Sequence, residues 1–125
     1  GDELMLEDAE REELAAQLDA AVGSTRARLA TLERERTSIV EAADTANIDD
    51  EHDPEGSTIA YERQLVIAMI EAAEAELAEL ERAVEMVRSP EYGRCLECGR
   101  PIGIDRLRAR PATTRCVDCS AGAAR

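Results

Sequence analysis

The sequence predicts a mainly α protein: a long antiparallel helical hairpin, zipped like a coiled coil, followed by a small C-terminal lobe built on four cysteines. Three observations carry this. Apolar residues recur at alternating steps of three and four along two long segments, a stretch holding Pro54 and Gly56 separates them, and the cysteines form two C-x-x-C pairs near the C-terminus.

Each element follows from its residues. Residues 1–23 read as an N-terminal helix, with Leu4, Leu14 and Leu18 among strong helix formers. Gly23-Ser24-Thr25 is a weak point, either a kink or a break at which Ser24 caps a new helix. Residues 24–89 form the hairpin. The stripe of its first arm is Val22, Thr25, Leu29, Leu32, Arg36, Ile39 and Ala43. The second arm, from about Ile59 to Arg88, carries Val66, Ile70, Ala73, Leu77, Leu80, Val84 and Val87 in strict steps of four and three. Two matched seams joined by a short turn make an antiparallel pair. At about 1.5 Å per residue, arms of about 28–30 residues reach roughly 42–45 Å. Residues 47–58 are the tip, a turn crowded with Asp49, Asp50, Glu51, His52, Asp53 and Glu55. Taken alone, that crowding fits a solvated loop, with Asp53 capping a turn that has Pro54 at its first position. Arg36 and Arg63 are expected to reach solvent while their stems cover the seam. Ser89-Pro90 stops the second helix, because proline lacks a donor and restricts the residue before it. Residues 90–125 are the cysteine lobe and a short tail. An intramolecular seam makes a monomer the expected state.

Composition narrows the function. Tyr61 and Tyr92 are the only aromatic residues, so a large globular core is hard to build. Residues 1–93 hold 8 Arg against 25 Asp and Glu, a net −17, whereas residues 94–125 hold 7 Arg against 3 acids, a net +4. Phosphate binding needs a contiguous basic face, so direct binding of DNA by this acidic body is not expected; a basic protein surface suits it better. No apolar run approaches the roughly 20 residues of a membrane span. The N-terminus is acidic and lacks an apolar signal core, which makes a cytoplasmic location the expectation. No Ser/His/Asp set, Cys/His pair or phosphate-cradling glycine loop is present, and the chain is not expected to be an enzyme.

In a reducing compartment, paired cysteines read as metal ligands rather than disulfides. Cys95 and Cys98 form the first pair, Cys116 and Cys119 the second. Two intervening residues let both sulfurs of a pair approach one ion at roughly 2.3 Å in tetrahedral geometry, the signature of a zinc finger. Two disulfides or a C-x-x-C redox pair are the alternatives, but a redox pair usually sits alone on a strand-helix unit. Gly99 suits the positive φ of a tight turn around the metal. Arg94, Arg100 and Arg115 can offset the net −2 of four thiolates around one dication. Four protein ligands leave no open position, so one Zn²⁺ is expected in a closed, structural site. Ile102, Ile104 and Leu107 are expected to pack as a miniature core whose folding is coupled to zinc.

Tyr92 to Gly99, Ile102-Gly103-Ile104, Arg106 to Pro111 and Cys116-Val117-Asp118-Cys119 resemble the DksA/TraR family of bacterial transcription regulators. The likeness covers roughly residues 24–120. It implies RNA polymerase as partner, reached through the secondary channel by the coiled coil, with an acidic tip at Asp50, Asp53 and Glu55 approaching the catalytic centre. The tip departs from the D-x-x-D-x-A of well-studied members: with Asp53 as the first acid, Gly56 and Thr58 replace the second acid and the alanine, and with Asp50 and Asp53 as the two acids, Glu55 takes the alanine position. The resemblance also places a contact for the alarmone guanosine tetraphosphate at Arg110. Glu79 and Ser120 stand where responsive members carry lysines, and an acid facing a polyphosphate repels it, so weak or absent alarmone binding is expected. The reading from another class is a zinc-stabilised helical adaptor for some other protein, without a role in transcription.

Overall fold

The computed structural model describes residues 6–49 and 54–123, with side chains placed for 6–42 and 58–122. Asp50, His52 and Asp53 of the tip, and the side chain of Glu55, lie outside the described residues. Among those described there are four helices and no strand: α1 (Asp8–Asp49), α2 (Pro54–Met86), α3 (Ile104–Ala109) and α4 (Val117–Ala123). None is long and apolar enough to cross a membrane.

Helix α1 runs unbroken for 42 residues, straight through Gly23, Ser24 and Thr25. The break proposed there does not occur, and Ser24 is not a cap. A glycine in a helix interior costs about 1 kcal/mol relative to alanine, and Val22 and Thr25, both buried beside it, outweigh that cost. Helix α2 begins at Pro54 rather than near Ile59. Proline is at home in a first helical turn, where its missing N–H has no partner to lose, and neither Gly56 nor Ser57 stops the helix from forming. It ends at Met86, just ahead of the Ser89-Pro90 stop.

The chain divides into two compact units, residues 24–77 and residues 1–23 with 78–125. Within 24–77 the stretches of α1 and α2 are antiparallel: Arg28 pairs with Glu76, whereas Ile39, farther along α1, shares a groove with Leu65 and Val66, earlier in α2. Leu32, Val66, Ile70 and Ala73 form the buried seam, flanked by Leu29 and Ile39. Arg36, on the predicted stripe, is exposed and lies 3.9 Å from Glu33 one turn away, so the seam is interrupted without burying a charge. Arg63 is likewise exposed.

In the other unit, α1 contributes the buried Leu14, Ala15, Leu18 and Val22, α2 contributes Leu80 and Ala83 with Val87 just past its end, and the C-terminal lobe contributes Tyr92, Ile102 and Leu107. Polar contacts fix the same pieces. Arg11 Nη1 donates to the carbonyls of Val87 at 2.7 Å and Ser89 at 2.9 Å, satisfying acceptors that the end of α2 leaves without helical partners. Glu12 pairs with Arg88. Arg108 Nε donates to Glu13 at 2.7 Å, and Gln17 Nε2 donates to the Arg108 carbonyl at 2.6 Å. The first three turns of α1 therefore hold both the end of α2 and the short helix α3.

Candidate metal centre

The first cysteine pair is shaped by backbone. Arg94 and Pro101 form an antiparallel bridge, and between them Cys95 N donates to Arg100 O and Gly99 N donates to Cys95 O, both at 2.9 Å. This knuckle turns at Gly99, whose φ of +76° is a conformation that side chains rarely adopt, as the sequence anticipates. Leu96 N donates to Thr114 O at 2.8 Å and ties the knuckle to the segment leading into the second pair. Cys116 precedes α4 and Cys119 lies within it; Ser120 N donates to Cys116 O at 3.0 Å, so the helix's first turn sets the spacing of the two thiols.

These elements bring Cys95, Cys98, Cys116 and Cys119 together, with all four sulfurs within 4.8 Å of one another and Cys98 Sγ 3.8 Å from Cys116 Sγ. A tetrahedral ion with Zn–S bonds of about 2.3 Å has sulfur–sulfur edges of roughly 3.8 Å, so the cluster fits one zinc. Cys95 and Cys116 are buried, Cys119 is half-buried and Cys98 is exposed. Backbone N–H groups of Cys116 and Cys98 pull the Cys95 thiol down to about 6. The Arg100 backbone N–H and its guanidinium pull Cys98 down, while Cys119, hydrogen-bonded first to Cys95 and then to Cys116, is pushed up. A zinc ion here would be held by all four as thiolates with no ligand position left open, which is the make-up of a structural centre.

The three flanking arginines divide their work. Arg100 bonds the Cys98 sulfur and is itself raised by it, Arg94 donates to Gly99 O at 3.2 Å, and Arg115 pairs with Glu97 at 3.2 Å. In the same lobe Leu107 is fully buried, Ile102 is buried and Ile104 is half-buried. Tyr92 Oη donates to Pro111 O at 2.8 Å, and burial pushes its phenol up to about 12. Gly93 (φ +90°) follows it; a Cβ there would sit 3.1 Å from Leu6.

Arg110 lies beside this centre, in a pocket of about 160 Å³ that Glu79, Arg82, Arg106, Arg115 and Ser120 also line. The fold thus assembles Glu79, Arg110 and Ser120, three positions that the family resemblance singled out from distant parts of the chain. It adds residues that sequence reasoning missed. Arg106 is a strut, its Nε donating to Arg115 O at 2.8 Å and its Nη2 to Ser120 Oγ at 2.9 Å. Arg82 comes from α2, one turn beyond Glu79, and spacing alone gives no sign that it meets the lobe.

Comparison with known proteins agrees with this geometry. Residues 90–123 match the prokaryotic dksA/traR C4-type zinc finger. Residues 90–123 thus carry a zinc finger of the DksA/TraR type. The RNA polymerase-binding transcription factor DksA of Escherichia coli K12 is 40% identical over 43 residues, 34% of this chain, so the match spans only 28% of that relative's length. The factor of the same name from Caulobacter vibrioides is 27% identical over 108 residues, covering 86% of this chain and 68% of that one. The solved structure of transcription factor DksA2 from Pseudomonas aeruginosa superposes with a TM-score of 0.76 over 92% of this chain and 83% of its own, at 22% identity, a likeness of fold. The likeness to DksA proteins therefore joins a specific zinc motif to a similar helical fold.

Proposed function

We propose that this chain is a bacterial transcription regulator that binds RNA polymerase. The hairpin enters the secondary channel, Asp50, Asp53 and Glu55 are carried at its tip, and the zinc finger is a structural base. The observation that carries this reading is the extent of the Caulobacter match: its 108 aligned residues include the helical body as well as the finger, and that relative is an RNA polymerase-binding factor. Charge supports it, since the net −17 of residues 1–93 suits a basic protein tunnel and opposes contact with DNA phosphate. The finger's own arginines support it too. Arg100, Arg106, Arg108 and Arg115 are engaged with Cys98, Ser120, Glu13 and Glu97, partners inside the molecule, which leaves them poorly placed to form a phosphate-binding face.

The decisive experiment is retention of core RNA polymerase on immobilised, zinc-loaded protein, followed by transcription with purified polymerase. Retention is expected, with promoter-complex stability altered. Polymerase in the flow-through would leave the helical adaptor as the surviving reading. Alanine at Asp50 and Asp53 should keep retention and reduce the effect on transcription; an unchanged effect would remove the tip from the mechanism. For guanosine tetraphosphate, Glu79 faces the pocket of Arg110, and weak binding follows. Calorimetry should show Glu79→Lys gaining affinity, and micromolar affinity in the unaltered chain would contradict the repulsion.

A further inference from the structure

Five large apolar side chains stand out as exposed among the described residues, and three of them share one face of α2. Tyr61, Leu65 and Met69 are 70%, 50% and 48% exposed and are spaced i, i+4, i+8. At about 100° per residue they fall within an 80° arc, and at about 1.5 Å per residue they cover roughly 12 Å of helix. This is a second apolar stripe. The seam against α1 already uses Val66, Ile70 and Ala73, so the stripe has no partner among the described residues of 24–77. Leu65 and Met69 form one wall of a groove of about 540 Å³ whose floor and far wall include Val66 and the half-buried Ile39. Tyr61 continues the wall by one helical turn. In a chain with two aromatic residues and three methionines, leaving one of each in water along a single line is a costly arrangement for a merely solvated face.

Charge indicates what covers it. Glu35 and Glu62 stand on opposite rims, and the one basic residue at the groove, Arg34, turns a guanidinium nitrogen to Thr31 Oγ1 on its own helix at 3.2 Å. Residues 24–77 as a whole hold 5 Arg against 13 acids, a net −8. Two copies meeting here would bring −8 against −8, and an anionic membrane would be repelled in the same way. A partner with apolar residues at helical spacing and basic residues beside them satisfies both features. Two turns of helix match the stripe's length, and a methionine wall adapts to varied apolar anchors.

We propose that the groove between residues 31–39 and 62–69 receives a basic amphipathic helix of a partner protein. This goes beyond the polymerase reading and stands on residues 24–77 alone.

The test uses the full zinc-loaded chain and a fluorescein-labelled peptide of about 20 residues, long enough to hold a helix. Its leucines lie at helical spacing with lysines elsewhere; a second peptide replaces every lysine with glutamate. Anisotropy titration should show the lysine peptide binding at least about tenfold more tightly than the glutamate peptide. The L65Q/M69Q variant keeps the charge unchanged and should lose at least about tenfold in affinity for the lysine peptide, with circular dichroism and zinc content as before. E35R/E62R should move the preference toward the glutamate peptide, and this variant carries the test if L65Q/M69Q does not fold. Equal binding by L65Q/M69Q and the unaltered chain would overturn the proposal, because the attraction would then be diffuse charge. So would a concentration-dependent dimer in sedimentation that L65Q/M69Q abolishes. Polymerase retention without peptide binding would remove the groove alone, and peptide binding without retention would remove the polymerase reading alone.

Discussion

Residues 24–77 and the unit that carries the cysteines are stabilised in different ways. The first relies on repetition: Leu32, Val66, Ile70 and Ala73 each bury a modest apolar area, and no single residue is indispensable. The second relies on convergence. Four sulfurs from two stretches of chain converge within reach of one ion, and named polar contacts bridge residues far apart in sequence, such as Arg11 with Ser89 and Glu13 with Arg108. A repetitive seam tolerates substitution gradually, while a convergent site fails as a whole once its centre is lost.

The largest effect that would sharpen this contrast comes from the metal. Structural zinc contributes about 10–16 kcal/mol of apparent binding free energy to small fingers near neutral pH. Chelation, or Cys95→Ser, is therefore expected to unfold residues 90–123 while most of the helical dichroism of α1 and α2 survives. Loss of all helicity together would break the contrast. Next is Ile70→Ala, which should lower stability to denaturant by about 2–4 kcal/mol through lost burial and a residual cavity. Metal analysis should still find one zinc per chain. Gly23→Ala is smaller and opposite in sign. No atom lies within 4 Å of a Cβ built there and the residue is helical, so unfolding should become harder by about 1 kcal/mol.

The smallest effect concerns pH. Hydrogen bonding to Arg108 holds the Glu13 carboxyl below its ordinary value of 4.5. A carboxyl depressed in the folded state adds stability that is fully present above the unfolded value and lost as pH falls through the folded one. Glu13→Gln should consequently lower the melting temperature slightly at neutral pH and flatten its decline below about pH 4.5, so that the two proteins converge in acid. An unchanged acid slope would mean that this exposed pair contributes nothing to fastening α3.

The same contrast decides what could be read from the sequence. The seam was legible because burial repeats: Leu32, Val66, Ile70 and Ala73 all lie on the predicted stripes. The zinc ligands were legible because coordination demands a residue type at a fixed spacing. Helix boundaries were harder. Gly23 signals a break locally, yet its buried neighbours decide the outcome, and Pro54 can open a helix as readily as end one. The long-range polar ties left no trace. Arg11, Gln17 and Arg108 look like ordinary surface residues in a charged chain, and their pairing depends on which turns the fold brings together. Leu14 and Leu18 read as good helix formers, but nothing in their spacing indicated that they would be completely buried.

Arg11 has a practical consequence for anyone preparing a minimal fragment. Its side chain terminates a helix whose end lies more than seventy positions downstream, and Glu13 and Gln17, within the next two turns, anchor the short helix between the cysteine pairs. A fragment starting at Pro90 would keep every metal ligand yet forfeit those anchors together with the apolar cover of Leu14 and Leu18. Trimming the leading segment is thus a remote lesion in the metal lobe, and an affinity tag or fusion joined there loads the same joint.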